Sequence, residues 1–185
     1  MELIETMLVT NGNIQNFEYH VKRVKKTFEF FKWKFDKKEW EKLKFRGNLR
    51  VRVTYNQFGI VKIEKFEIKK REFKKFKIVE IDFNYPFKFK NRDKLNAFSK
   101  KADEFILVKN GLITDTRISN LAFFTGKEWL SPKYPLLKGT MREKLLKENK
   151  IKLANIHKSD IKYFKKIALI NAILGFYIVD EFDII

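Results

Sequence analysis

The sequence contains no cysteine and only two histidines among its 185 residues. Without cysteine the chain can form neither a disulfide bond nor a metal site built on thiolates. Two histidines are also fewer than most histidine-ligated metal centres use. We therefore expect a protein without a bound metal ion.

Long apolar segments are missing as well. No apolar run approaches the roughly 20 residues that a helix needs to cross a bilayer. The N-terminus, Met1-Glu-Leu-Ile-Glu5, lacks the basic region and apolar core of a signal peptide. We therefore expect a cytoplasmic protein with no membrane segment.

Acidic residues are few beside the basic ones, with 23 Asp and Glu against 41 Lys and Arg and a net charge of +18. Such an excess can indicate a polyanionic partner. The lysines, however, alternate with Phe and Ile along the whole chain instead of forming one block. The aromatic residues of the hairpin at residues 49–68 also alternate away from the charges, towards a core, where a nucleic-acid reader would expose them for stacking. The pattern favours solvated basic faces over a nucleic-acid-binding surface.

What the sequence does contain is enough apolar surface for a core, with 44% hydrophobic and 16% aromatic residues. Strands and helices are mixed along the chain, which predicts an α/β (α+β) fold. A strand from Leu3 to Val9 and an Asn11-Gly12 turn precede a helix whose apolar residues recur at helical spacing. A second helix is predicted from Phe35 to Phe45. Two alternating strands, 49–55 and 60–68, then form a hairpin.

A charged connection at 69–75 and a strand at 77–83 follow, and we place a domain boundary close to Asn84-Tyr-Pro86. The predicted domains are a small N-terminal one, residues 1–83, and a larger C-terminal one, residues 84–185. After Pro86, either Asn91 or Asp93 caps a predicted helix through Leu95, Phe98 and Ala102.

The stretch from Asp103 to Leu146 carries the most specific signals. An Asn110-Gly111 turn joins two short strands, and a polar segment, 114–120, interrupts the strand pattern. A loop then leads into a helix that starts at Thr140. Four short motifs follow one another here: Gly111-Leu-Ile-Thr-Asp115, Ser119-Asn-Leu121, Trp129-Leu-Ser-Pro132 and Leu137-Lys-Gly-Thr-Met-Arg142.

In this order and spacing, the motifs resemble those of the class IV aminotransferases. These are the pyridoxal-phosphate (PLP) enzymes of fold type IV, among them branched-chain and D-amino-acid aminotransferases and aminodeoxychorismate lyase. The resemblance implies a two-domain fold-type IV architecture, here with a reduced N-terminal domain. It also implies PLP as the cofactor.

Further residues take their expected roles from this resemblance. His20-Val-Lys-Arg23 resembles a family motif whose Arg binds the cofactor phosphate, and phosphate suits the fixed donor fork of a guanidinium. Asp115 stands where the family has a Glu that faces the pyridine nitrogen. The other residues expected to bind the cofactor are Asn120, Gly139, Thr140, Met141, Asn171 and Ala172.

The family carries its Schiff-base lysine at a strand end just before a helix, and three lysines fall there: Lys88, Lys90 and Lys94. We favour Lys88 because Phe87 and Phe89 flank it. An apolar setting lowers the pKa of an ammonium group by desolvation, as a nucleophilic lysine requires.

Asn171-Ala172 resembles the lyase form of the family, which favours 4-amino-4-deoxychorismate lyase, forming 4-aminobenzoate and pyruvate for folate synthesis. Three alternatives stay open: a branched-chain or D-amino-acid aminotransferase, a basic nucleic-acid-binding protein, and a catalytically inactive relative that serves as an interaction module. The presence of Lys88 argues against the last. The resemblance implies a small-molecule substrate and a homodimer, since family members complete the active-site mouth with a partner loop.

Overall fold

The computed structural model describes residues 1–98 and 101–185 and divides the chain into two compact units. Unit 1 comprises Met1–Lys70 and Phe87–Arg92, and unit 2 comprises Arg71–Pro86 and Asp93–Ile185. The predicted domains, residues 1–83 and 84–185, stay a prediction, because compact units need not coincide with parts of the chain that fold independently. The compact units change over at other positions because the strand expected at 77–83 packs in unit 2 and residues 87–92 return to unit 1.

Unit 1 is built on a four-stranded antiparallel sheet in the order β2-β1-β3-β4. Its elements are β1 (Leu3–Thr10), β2 (Asn13–Ile14), α1 (Phe17–Phe30), α2 (Lys37–Glu41), β3 (Leu49–Asn56) and β4 (Gly59–Phe66). The odd-numbered residues of β1 share one face because side chains alternate along a strand. Leu3, Met7 and Val9 on this face pack in one apolar core with Val24 and Phe28 of α1.

The segment 87–90 completes the first half of β1's edge. The N–H of Ile4 donates to the carbonyl oxygen of Lys88 at 2.9 Å, and the N–H of Lys90 donates to that of Glu2 at 3.0 Å. Leu3 and Phe89 thereby form an antiparallel bridge. This pairing holds the lysine-bearing segment in unit 1.

Unit 2 contains two sheets, one in the order β13-β5-β6-β7 and one in the order β10-β9-β8-β11-β12. Its strands are β5 (Lys75–Glu80), β6 (Glu104–Lys109), β7 (Leu112–Thr116), β8 (Asn120–Phe124), β9 (Trp129–Pro132), β10 (Lys152–Ala154), β11 (Lys166–Asn171), β12 (Gly175–Val179) and β13 (Asp183–Ile184). Ile106 and Ile113 of one sheet and Leu121, Phe123 and Leu169 of the other belong to one apolar core. The two sheets therefore pack on a shared core, and the mixed α/β class is confirmed.

The helices of unit 2 are short. Unit 2 has α3 (Asp93–Asn96), α4 (Thr140–Lys147) and a 3-10 helix at Lys158–Tyr163. The helix predicted to reach Ala102 ends at Asn96, and Ser99 and Lys100 lie outside the described residues. The helix predicted to reach Phe45 ends at Glu41, where the chain turns and brings Leu43 and Phe45 onto the core of unit 1. No helix in residues 1–98 and 101–185 has the length and apolar character to cross a membrane.

Candidate active site

Arg23, the residue expected to bind phosphate, is held by a buried carboxylate in unit 1. Its Nε and Nη2 donate to the two oxygens of Glu5, at 2.9 and 2.5 Å. The Nδ1 of His20 lies 2.6 Å from Glu5 Oε2. Glu5 and His20 are completely buried, whereas the Arg23 side chain keeps 15% of its surface exposed. The three residues form a cluster that joins β1 to α1.

The protonation states of this cluster follow from its contacts. Burial alone would raise the pKa of Glu5, but the Arg23 charge and the hydrogen bonds from His20 and Arg23 outweigh it and hold the pKa at about 2. Burial lowers the pKa of His20, although its bond to Glu5 opposes the shift. Glu5 is therefore an anion at neutral pH, and the His20 nitrogen facing it must carry the proton.

The structure separates the three candidate lysines. Lys88 is half-buried, and burial, followed by the Arg23 and Arg92 charges, lowers the pKa of its amine to about 7. Lys90 is exposed and pairs with Glu2 at 2.7 Å. Lys94 is exposed in α3. Lys88 thus has the lowered pKa that a nucleophilic amine needs near neutral pH.

Asp115 and Asn120 lie in unit 2, where strand β7 runs on to Thr116 through part of the polar segment that was expected to interrupt it. Asn120 Nδ2 donates to Asp115 Oδ1 at 2.6 Å and to the Leu137 carbonyl at 2.8 Å. The N–H groups of Leu137 and Gly139 donate to Asp115 Oδ2 and Asn120 Oδ1, at 2.9 and 3.1 Å. We call these four residues the loop clamp, because they fix the loop that leads into α4.

Gly139 is the N-cap of α4 and leaves no space for a side chain. A Cβ atom at this position would overlap Asn120 Oδ1. Its φ of −73° suits any residue, so glycine is required here for room and not for backbone conformation. Thr140 and Met141 follow as the first residues of the helix, whose first turn directs its N–H groups out of the helix. Such a helix start favours anionic groups.

Asn171, at the end of β11, joins the polar segment 114–120 to the turn that follows β11. Its Nδ2 donates to Ser119 Oγ at 2.9 Å and to the Ile118 carbonyl at 3.3 Å. Its Oδ1 accepts the N–H groups of Ile173 and Leu174, both at 2.8 Å. Ala172 lies half-buried in the turn that these bonds close.

Glu5 of unit 1 escaped the sequence-based reasoning, and His20 was expected only as part of the motif around Arg23. Glu5 and His20 lie 18 and 3 residues before Arg23, and only the fold shows that they meet it. A signal for Glu5 was available, because it interrupts the apolar series Leu3, Met7 and Val9 on one face of β1. A charge on a core face requires a buried partner.

Comparisons with known proteins agree on the family. The sequence model of a family described as "Amino-transferase class IV" matches residues 83–182. A protein of uncharacterized function from Haemophilus influenzae is 34% identical, in an alignment that covers 94% of this chain and 98% of the relative.

Solved structures share the fold. A protein from Haemophilus somnus, proposed to be a 4-amino-4-deoxychorismate lyase, is 32% identical with a TM-score of 0.82, covering 94% of this chain and 97% of its own. A proposed amino-acid aminotransferase from Mesorhizobium loti is 19% identical with a TM-score of 0.85, covering 100% and 99%. A hypothetical aminotransferase from Mycobacterium tuberculosis, in a PLP-bound form, is 14% identical with a TM-score of 0.82, covering 98% and 81%. These likenesses confirm the expected fold-type IV architecture.

Proposed function

This chain belongs to the class IV aminotransferases, a family of PLP-dependent enzymes, and we propose that within it the chain is a 4-amino-4-deoxychorismate lyase. The observation that carries the proposal is the 32% identity, over 94% of the chain, to the Haemophilus somnus protein proposed to have this activity. Asn171-Ala172, at the end of β11, supports the same choice. The reaction would yield 4-aminobenzoate and pyruvate for folate synthesis in the cytoplasm.

The residues present fit PLP. Lys88 supplies a half-buried amine whose pKa of about 7 leaves much of it uncharged at neutral pH. Gly139 lets Asn120 Oδ1 reach the start of α4, since a Cβ at position 139 would overlap that oxygen, and a helix start favours an anionic group such as the phosphate. PLP, when bound, supplies an electron sink for the reacting carbon. The protein supplies the groups that hold it and that move protons.

Each residue has a role in this proposal. Lys88 would bind the cofactor covalently and, since its Nζ exchanges a proton near pH 7, would act in turn as base and acid. Arg23 would bind the phosphate with its planar fork. By the family resemblance, the backbone N–H groups of Thr140 and Met141 would bind phosphate at the start of α4.

Asp115 is proposed to face the pyridine nitrogen. Both of its oxygens already accept a hydrogen bond, from Asn120 and from Leu137. Each carboxylate oxygen has two acceptor positions, so a further bond to the ring nitrogen is compatible with the loop clamp. Asn120 and Asn171 would act by holding the loops around Asp115 and Gly139 in place.

The test compares Lys88→Ala with the neighbouring Lys90→Ala as a matched control. Wild-type protein with PLP should absorb visible light, and borohydride should fix the cofactor's mass to the peptide that contains Lys88. Lys88→Ala should lose lyase turnover by several orders of magnitude, as expected when a covalent catalyst is removed. Lys90→Ala should keep it, because Lys90 is exposed and pairs with Glu2.

Each other outcome of this test would change the proposal. Cofactor mass on Lys90 or Lys94 would refute the role of Lys88 and keep the enzyme class. Amino transfer to 2-oxoglutarate from branched-chain or D-amino acids, without 4-aminobenzoate formation, would refute the lyase in favour of an aminotransferase.

A further inference from the structure

Strand β1 carries a charge on the face that builds the core of unit 1. Glu5 lies between Leu3 and Met7 of this face and is completely buried. Removing an ionised carboxylate from water costs several kcal/mol even in a relaxed protein interior. A leucine of similar size would avoid that cost, so the role of Glu5 lies in what the carboxylate holds.

The Glu5 carboxylate holds one edge of the Arg23 guanidinium group. Two of the five N–H groups of Arg23, on Nε and Nη2, donate to the two oxygens of Glu5. Two near-parallel bonds fix both the position and the plane of the fork. Glu5 occupies the side edge of the fork, and the end edge, formed by Nη1 and Nη2, lies away from it. Arg23 therefore has one orientation in the fold.

The carboxylate is itself held by His20. Its Nδ1 lies 2.6 Å from Glu5 Oε2, and both side chains are completely buried. Because Glu5 is an anion with a pKa of about 2, Nδ1 must be the protonated nitrogen. Nε2 is then an acceptor, and within the part of the chain that the structure describes it has no hydrogen-bond partner. The useful contact of His20 is thus the one to Glu5.

We propose that Glu5 and His20 are positioning residues for Arg23, His20 holding the carboxylate and the carboxylate presenting the guanidinium to the phosphate of the cofactor. The inference rests on the proposed function, in which Arg23 binds that phosphate. It assigns the buried charge of β1 to phosphate recognition and not to stability. Without this pair, phosphate binding would have to order a long and rotamer-rich side chain.

A charge argument gives the opposite expectation, which makes the proposal testable. The negative charge of Glu5 repels phosphate, so its removal would strengthen phosphate binding if electrostatics alone mattered. Loss of a fixed guanidinium would weaken it. The charge argument therefore predicts tighter phosphate binding when Glu5 is replaced, and the positioning role predicts weaker binding.

The experiment compares the dissociation constants of PLP and of pyridoxal, which lacks the phosphate, by absorbance titration of the whole protein. In Glu5→Leu the preference for PLP should fall about tenfold relative to wild type, which corresponds to about 1.4 kcal/mol. Met7→Leu serves as control, because Met7 is buried in the same core on the same face of β1 and bears no charge. Its preference should equal that of wild type.

Two amide variants test which nitrogen of His20 acts. His20→Asn places an N–H donor near the position of Nδ1 and should largely keep the preference for PLP. His20→Gln places its amide near the position of Nε2 and should lose the preference as Glu5→Leu does. If Glu5→Leu does not fold, as judged by circular dichroism and thermal unfolding, Glu5→Gln tests the same sign with the shape of the side chain preserved.

The outcomes separate this inference from the proposed function. A wild-type protein that binds PLP no better than pyridoxal would overturn the phosphate role of Arg23, and the positioning role with it. A wild-type preference for PLP that is unchanged or increased in the Glu5 variants would overturn the positioning role alone. The reversed order of the two His20 variants would overturn the assignment to Nδ1.

Discussion

At the scale of single residues, the fold disfavours the charged form of the Asp115 carboxyl group. Burial raises its pKa to about 7, against the opposing effect of its bonds from Leu137 and Asn120 and of the Arg142 charge. In the unfolded chain the pKa is near 3.9. Between these values the unfolded state releases the proton first, so the free energy of unfolding falls as the pH rises from about 4 to 7.

We therefore expect Asp115→Asn to flatten this pH dependence. The fall in wild type should approach 1.4 kcal/mol for each pH unit between about 4 and 7, since one pKa unit corresponds to that free energy. The variant loses the titrating group and with it this part of the slope. Urea unfolding at pH 4.5 and 6.5 measures the difference.

The control is Asp82→Asn, which removes an exposed carboxylate of the same unit. Its pH dependence should match that of wild type. An Asp115→Asn variant with the wild-type slope would show that Asp115 is ionised throughout this range, and the raised pKa would be wrong.

At the scale of elements, the loop clamp ties the start of α4 to strands β7 and β8. A methyl group at position 139 would overlap Asn120 Oδ1, and that oxygen cannot move without losing the bond from the Gly139 N–H. We expect Gly139→Ala to lower the free energy of unfolding by about 1–3 kcal/mol, the usual cost of overpacking.

A double-mutant cycle with Asn120→Ala tests the cause. Asn120→Ala removes the oxygen that the methyl group would overlap, so Gly139→Ala should cost much less in that background. An equal cost in both backgrounds would place the strain elsewhere, for example in the backbone of the loop.

The elements of the fold differ in how well the sequence predicts them. The hairpins at Asn11-Gly12 and Asn110-Gly111 are predicted well, because the turn chemistry is local to two residues. The cluster around Glu5 is not, since its contacts join residues 15 and 18 positions apart on different elements. The pairing of 87–90 with β1 spans more than 80 residues, and no local pattern encodes it.

For the candidate site residues too, contacts between residues close in sequence could be predicted and contacts between distant residues could not. The motif around Asp115 and Asn120 could be found because the two residues lie only five positions apart in the sequence. Their link to Leu137 and Gly139 could be expected only from the resemblance, because the intervening strands must first pair. The strand around Asp115 was expected to break at Thr114 for its polarity, yet side chains such as Asp115 find partners that satisfy them in a strand.

At the scale of the whole molecule, we propose a homodimer. The family resemblance implies a partner loop at the active-site mouth, and large apolar side chains are exposed on both units, among them Phe30, Phe58 and Tyr163. Association would remove such surface from water. Sedimentation equilibrium should therefore give twice the chain mass of 22.4 kDa at micromolar concentration.

The salt dependence of association distinguishes this dimer from one that is held together by charge. With a net charge of +18, chains repel one another most at low ionic strength. A dimer held by apolar contacts should persist or strengthen as salt is added. A monomer with full lyase activity at micromolar concentration would refute the proposal.

The return of residues 87–92 to unit 1 limits how the gene can be divided. A fragment that stops at Lys70 would contain four strands of the sheet but not the segment that pairs with Glu2 and Ile4. The first half of β1 would then be an open edge, whose unpaired backbone groups invite pairing with another chain. The fragment would also lack Lys88. Unit 1 is compact in space but discontinuous in sequence. A single uninterrupted piece of chain that contains all of unit 1 must therefore also include residues 71–86 of unit 2.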